Sequence, residues 1–221
     1  MPYKILFAFA TRSRPERALF LLKQYQKYIH DKENSIIHLS CDVDDETMNN
    51  ESIIELLKTF NGVKYFFGEN KTKLDAVNAN ISGYDWDIVV GLQDDLYPLV
   101  PGFDNIIREE MKNAFDPDLD GVLFLFDGAL QICTTPCMGR RFYNRFGYLN
   151  YPGYKSLFAD SELTEVSERL GKLKRVNKVL LEHKHPTRAN IPYDELYRRN
   201  DSFWDEDQEL FEKRKENNFY L

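Results

Sequence analysis

Residues 86–104 read WDIVVGLQDDLYPLVPGFD. The run from Ile88 to Leu92 has no polar residue at either alternate position, the mark of a strand covered on both faces. It ends in two adjacent carboxylates, Asp94 and Asp95. Two like charges side by side cost free energy unless a cation, a basic side chain or water neutralises them. The same strand pattern recurs upstream in YKILFAFAT (3–11), SIIHLSCD (35–42) and VKYFFG (63–68). Helical patterns separate these runs. In SRPERALFLLKQYQKYI (13–29), Ser13 and Glu16 have capping-box spacing and Pro15 suits a first turn. Ala18, Leu22, Tyr25 and Ile29 follow at helical intervals. ETMNNESIIELLKTFNG (46–62) places Ile54, Leu57 and Phe60 on one side, with Asn61-Gly62 as its stop. TKLDAVNANIS (72–82) turns Leu74, Val77 and Ile81 inward. This alternation predicts an α/β chain with a mainly parallel central sheet flanked by helices.

Ligands of such sheets bind at the carboxyl ends of the strands. Thr11, Arg12 and Arg14 follow the first strand, Asp42, Asp44 and Asp45 the second, and Asp94 and Asp95 the fourth. All three polar clusters therefore fall on one edge of the predicted sheet. The start of a helix is an electrostatically poor place for arginines, which points to an anionic ligand.

The second half is less regular. GVLFLFDG (121–128) and LQICTTP (130–136) read as strands joined by an Asp127-Gly128 turn. A loop-rich stretch, MGRRFYNRFGYLNYPGYKSLFADSEL (138–163), leads into a helix, SELTEVSERLGKL (161–173), with Leu163, Val166 and Leu170 on one stripe. RVNKVLLEHKHP (175–186) reads as a strand with His183 and His185 on one face. The tail is helical and partly amphipathic, with Trp204 and Phe211 as anchors. Without repeats, low-complexity tracts or Gly/Ser linkers, residues 1–221 read as a single domain with halves at 1–100 and 101–221.

Composition narrows the function classes. With 43% hydrophobic and 14% aromatic residues, the chain is globular rather than disordered. A net charge of −7 argues against a long nucleic-acid track. The basic-aromatic stretches FEKRKENNFYL and GRRFYNR are too short to require nucleic acid or membrane. The longest apolar runs, ILFAFA and VLFLF, fall far short of a membrane span. MPYKILFAFATRSRP lacks the length and cleavage site of a secretory signal. Three cysteines form no disulfide framework, so a cytoplasmic protein is expected.

Taken in order, FATRSRPE, SCDVDDE, KTKLDAVNAN, GLQDDLYPLVPGFD, GYKSLFADSEL and LEHKHP resemble a GT-A-fold glycosyltransferase of the family 2 type across nearly the whole chain. The resemblance implies a nucleotide-sugar-binding half at 1–100, and an acceptor-binding half at 101–221 with a smaller sheet and the helical tail. It also implies transfer of a sugar from a nucleotide-sugar donor, a UDP-sugar favoured, to an acceptor hydroxyl with inversion. A departing nucleoside diphosphate needs its charge neutralised, and a divalent cation does so directly. Mn²⁺ or Mg²⁺ suits carboxylate oxygens, and manganese also accepts an imidazole. The family's Asp-x-Asp reads Gln93-Asp94-Asp95 here, an amide in the first place. Asp95 is then the direct metal ligand, and Asp94 meets the ribose or a metal-bound water. His183 or His185 supplies the ligand from the other half. Asp42 selects uracil, Thr11, Arg12 and Arg14 hold base and phosphate, and Lys73 and Asn78 bind the donor.

An inverting transfer also needs a carboxylate base, a role that falls to Asp160, with Glu162 as its alternative. Arg140 and Arg141 are further candidates for the diphosphate. The aromatic loop 140–154 reads as an acceptor wall or a packed lid. The acceptor itself stays open among a glycan, a lipid-linked glycan, a protein and a modified nucleic acid. Two other readings compete. A sugar nucleotidyltransferase shares the sheet and acid pair but usually carries a glycine-rich N-terminal phosphate loop, and FATRSRPE has no glycine. A non-catalytic nucleotide- or glycan-binding module is motivated by Gln93.

Overall fold

The computed structural model describes residues 2–187, 189 and 191–221. Strands β1 (Ile5–Ala10), β2 (Ser35–Asp42), β3 (Val63–Gly68) and β4 (Ile88–Gln93) fall where continuous apolar runs put them. They are joined by helices α1 (Pro15–Tyr28), α2 (Glu51–Lys58) and α3 (Lys73–Asn78). The short β5 (Leu96–Pro98) and α4 (Phe103–Phe115) follow. The second half adds β6 (Val122–Leu125), β7 (Cys137–Gly139), α5 (Arg140–Phe146), α6 (Ala159–Arg169), β8 (Leu173–Val176), β9 (Leu181–His183), α7 (Glu195–Asp201) and α8 (Trp204–Glu216).

One seven-stranded sheet, ordered β3-β2-β1-β4-β7-β6-β8, draws strands from both halves. Its first four strands run parallel, β7 is antiparallel to both neighbours, and β8 is parallel to β6. A separate antiparallel pair, β5 with β9, puts Leu96 opposite His183. This pair is the small second sheet expected beside the central one.

Alternation along each strand fixes which helix covers which face. Ile5, Phe7 and Phe9 point into a core shared with Leu21 and Leu22 of α1 and Phe103 and Ile107 of α4. Leu6 and Ala8 point the other way, toward Leu74 of α3, Phe142 of α5 and Leu163 of α6. Both faces of β1 are dry, and it carries no polar residue. Among the described residues no helix is long and apolar enough to cross a membrane.

Several sequence expectations are corrected. Ser13 does not cap α1: Arg14 is the N-cap, with no side-chain capping bond. Ser13 instead takes φ 59° and donates its N–H to Asp45 Oδ2 at 2.7 Å. Asp127-Gly128 does not close a tight hairpin: LQICTTP is loop, and β6 meets its antiparallel neighbour β7 only after residues 126–136. RVNKVLLEHKHP supplies two short strands in different sheets, not one. The stretch 140–154 opens as α5 and packs inward: Phe142, Tyr143, Leu149 and Tyr154 are core residues, and none of the stretch lines the cleft described below. Phe211 is buried as an anchor, but Trp204 is 53% exposed.

A buried ion pair ties this frame together. Asp104 is fully buried and accepts the N–H groups of His30 and Asp31 at 3.0 Å and Arg108 Nη1 at 2.7 Å. Arg108 also bonds Ser35 Oγ and the carbonyls of Tyr3 and Asn34. Burial pushes the Asp104 carboxyl up, but the backbone N–H groups and Arg108 outweigh it and hold it below 3.8. A carboxyl depressed by folding stabilises the fold above its unfolded value and ceases to do so as pH falls through its folded value. Asp104→Asn is expected to cost about 3–5 kcal/mol at pH 7. Urea titrations should show that this deficit shrinks below about pH 4.

Candidate active site

The carboxyl ends of β1, β2 and β4 open into a cleft of about 780 Å³ lined by Thr11, Arg12, Arg14, Asp42, Asp94 and Asp95. Lys73, Asp160, His183 and His185 line the same cleft. The polar clusters read from three separate loops thus converge, as the parallel-sheet rule requires.

Asp94 and Asp95 occupy different environments. Asp94 accepts Arg14 Nη1 at 2.6 Å and Thr11 Oγ1 at 3.0 Å. Burial pushes its carboxyl up, with the Asp95 charge adding to the rise and Arg14 opposing it. Asp95 Oδ2 accepts the Tyr197 hydroxyl at 2.8 Å, and Oδ1 lies 3.3 Å from His183 Nε2. Burial raises Asp95 too, but His183, Lys73 and Tyr197 together hold it well below the usual carboxylate range. Arg14 therefore neutralises one acid and the imidazole the other, which is how adjacent carboxylates coexist here.

His183 reaches this position because β9 pairs with β5, directly after the acid pair. Its Nδ1 lies 3.5 Å from Asp127 Oδ2. Burial lowers the imidazole, but Asp127 and Asp95 outweigh burial and hold it near 9. Asp127 is itself fixed, accepting the N–H groups of Ala129 and Leu130 at 2.9 Å and Thr134 Oγ1 at 3.1 Å. His185 lies one ring away, with centroids 5.9 Å from His183 and 5.1 Å from Tyr197, and its Nδ1 is 2.9 Å from Thr187 Oγ1.

Arg12 bonds Asp42 at 2.7 Å and Asp44 at 2.6 Å. Asp42 also accepts Asn70 Nδ2 at 2.8 Å, so both of its oxygens are engaged. Arg14 makes two bonds to Asp194 and stacks 4.1 Å over the Tyr197 ring. Gln93, the amide in place of an acid, donates to Thr134 O at 3.0 Å and so braces the loop that carries Asp127. Lys73 opens α3 at the cleft and lowers both Asp95 and Asp160 by its charge.

The two candidate bases separate cleanly. Asp160 lies in the first turn of α6 and lines the cleft. It is not the helix cap, which is Phe158. Burial raises its carboxyl, with Lys73, the Ser161 N–H and His183 opposing. Glu162 is buried on the other side of the helix, bonded to Arg214 at 2.7 and 2.8 Å and to the Tyr154 hydroxyl at 2.8 Å. It does not line the cleft, so the structure leaves it no part as a base.

Three further candidates also lie elsewhere. Asn78 is a clamp: its Oδ1 accepts Leu149 N–H and Asn150 N–H, and its amide donates to Asn150 O. Arg140 is stacked on Trp86 and bonded to the carbonyls of Tyr84 and Trp86, before the start of β4 and away from the cleft. Arg141 pairs with Asp118 on the surface. Sequence reasoning missed Tyr197 and Asp194, and it read Asp127 only as a turn residue.

Among the described residues, no group of three His, Cys, Asp or Glu side chains is arranged to hold a metal ion. A two-ligand site does fit the donor chemistry. Asp95 Oδ1 is buried without a formed hydrogen bond, and it faces an imidazole nitrogen. Mg²⁺ and Mn²⁺ commonly take one or two protein ligands and fill the remaining positions with phosphate oxygens and water.

No family model matches the sequence, and no curated protein matches it. Solved structures do. The mannosyltransferase PcManGT from Pyrobaculum calidifontis, in complex with GDP-Man and Mn²⁺, aligns at TM-score 0.63 and 11% identity, over 84% of this chain and 58% of that one. S. aureus TarS 1–349 in complex with UDP aligns at 0.64 and 12%, over 81% and 60%. A cytidylyltransferase from Leptospira borgpetersenii serovar Hardjo-bovis aligns at 0.51 and 16%, over 80% and 76%. The chain thus spans 58 to 60% of the length of the first two. Likeness at such identities speaks for architecture, and the architecture of this chain is the GT-A glycosyltransferase fold.

Proposed function

We propose that this chain is an inverting glycosyltransferase that moves a sugar from a nucleoside diphosphate sugar, a UDP-sugar favoured, to an acceptor hydroxyl with the help of Mn²⁺ or Mg²⁺. One observation carries the reading: Asp95, in the turn after β4, and His183, at the end of β9, face each other at 3.3 Å at the sheet edge where ligands of parallel sheets bind. The structural neighbour in complex with GDP-Man and Mn²⁺ supports it. Asp95 and His183 would hold the cation, which supplies neutralisation of the departing diphosphate.

The chain's own residues do the rest. Thr11 and Arg14 fix Asp94 so that its carboxylate stays oriented toward the cleft. Asp42, at the end of β2, would meet the base, and the donor's imide would share it with Arg12 and Asn70. Asp160 takes the acceptor's proton as the acceptor oxygen bonds the anomeric carbon. The bond from that carbon to the diphosphate oxygen breaks, and its electron pair leaves with the nucleotide. The thiols of Cys41, Cys133 and Cys137 are all buried and unpaired, which supports a reducing, cytoplasmic setting.

Isothermal titration with UDP, GDP, CDP and ADP, with and without Mn²⁺, tests this. The expected result is metal-linked binding of UDP in preference to the others. Metal-independent binding, or none of any diphosphate, contradicts it. The likeness to a cytidylyltransferase favours one second reading, nucleotidyl transfer. Pyrophosphate release from a nucleoside triphosphate and a sugar phosphate would select that reading instead.

A further inference from the structure

The cleft has two chemically different parts. At the strand ends it is charged: Arg12 pairs with Asp42 and Asp44, and Arg14 with Asp94 and Asp194. Beyond Asp160 the lining turns apolar: Leu130 and Ile132 from loop 126–136, Leu157 and Phe158 from the start of α6, and Phe203 and Trp204 from the α7–α8 junction. These segments meet around Asp160. Cys133 N–H bonds Thr164 Oγ1 at 2.8 Å and thereby holds the loop against α6. On the other flank Phe158 packs edge-on to Trp204, with centroids 5.1 Å apart. Leu130 is 40% exposed and Trp204 53%, large values for apolar side chains that line a cleft. The diphosphate of a donor has no use for such a wall, and the reading above gives the base to Asp42 at the strand ends; apolar area of this kind is better covered than left in water.

We propose that this wall is the acceptor subsite and that the acceptor is amphiphilic: a hydroxyl presented to Asp160, next to an aromatic or alkyl group lying on Leu130, Leu157, Phe158 and Trp204. The inference rests on the glycosyl-transfer reading for the word acceptor, but the apolar binding it requires can be measured apart from turnover. Aromatic and alkyl ligands share the same chemistry here, since either removes apolar area from water at about 25 cal/mol/Å². An aromatic ring adds stacking on the indole.

The full chain, with UDP and Mn²⁺ present, should be titrated calorimetrically with methyl, phenyl and octyl β-D-glucopyranoside, the last below its micellar concentration. Phenyl and octyl glucosides are expected to bind at least about tenfold more tightly than the methyl compound. Phenyl ahead of octyl identifies an aromatic acceptor group, and the reverse order an alkyl one. Trp204→Ala and Leu130→Ser should each shrink that preference to about threefold or less while leaving UDP affinity within about twofold. Tryptophan fluorescence gives a second readout in the native chain, because Trp86 is buried and Trp204 is the exposed reporter. Equal binding of the three glucosides, absence of binding by all of them, or a preference that survives both substitutions overturns the proposal. Amphiphile binding without any nucleotide binding would instead sink the glycosyl-transfer reading and leave the apolar subsite standing.

Discussion

Asp95→Ala is expected to lower kcat/KM by at least about a thousandfold, the scale at which the loss of charge stabilisation at a leaving group is felt. Metal-linked UDP affinity should fall by about 10–100-fold in the same variant. The physical reason lies in where Asp95 sits. It is buried, with one oxygen on the Tyr197 hydroxyl and the other aimed at His183 without a formed hydrogen bond. Alanine removes the carboxylate and leaves the His183 imidazole facing an apolar methyl, with one of the two acids that raise it gone. Arg14 and Asp94 keep their own pairing, so the sheet edge should stay folded. Asp95→Asn is the informative companion, since it preserves volume and the Tyr197 bond but not the charge. Steady-state kinetics and calorimetry on both variants check the result. Normal turnover in Asp95→Ala would remove Asp95 from the chemistry altogether.

Asp160→Asn should behave differently. Donor and metal binding are expected to stay within about threefold of the native chain, while kcat falls by about 10²–10⁴, the span attributed to general base catalysis. Burial raises the Asp160 carboxyl above its ordinary 3.8. A base works only when deprotonated, so kcat/KM should decline as pH falls through that raised value, and the acid limb should lie above the usual carboxylate range. In Asp160→Asn this limb should vanish from the residual rate. A variant that loses donor binding as well would recast Asp160 as part of the donor site.

These two residues also show what the sequence could reveal. Strands buried on both faces announce themselves as unbroken apolar runs, as Ile5–Ala10 and Ile88–Gln93 do. Because loops leave a parallel sheet at a common edge, Arg14, Asp42 and Asp95 could be assigned to one site before any coordinates. Asp160 and Glu162, by contrast, both fit the base by sequence order, and the helix itself separates them, since residues two apart point about 200° away from each other. One faces the cleft, and the other is locked to Arg214 and Tyr154 in the core.

What stayed hidden depends on contacts distant in sequence. Tyr197 bonds Asp95 across 102 positions and Arg14 bonds Asp194 across 180, with no local pattern to mark either pair. Asp127 was concealed by its own neighbour: Asp-Gly reads as a tight turn, whereas here the side chain braces a longer loop and faces His183. Strand β7 has only three residues and follows Pro136, too short a run for any periodicity to appear.

The central claim is that Asp95 and His183 share a cation that holds the donor's diphosphate. The most direct test is a crystal of the chain grown with UDP and Mn²⁺, with diffraction recorded on the low-energy side of the iron edge to locate manganese by its anomalous signal. The predicted result is one peak bonded to an Asp95 oxygen, a His183 nitrogen and the diphosphate, at the carboxyl end of β4. A peak elsewhere in the cleft, or UDP seated with neither side chain on the metal, would contradict it.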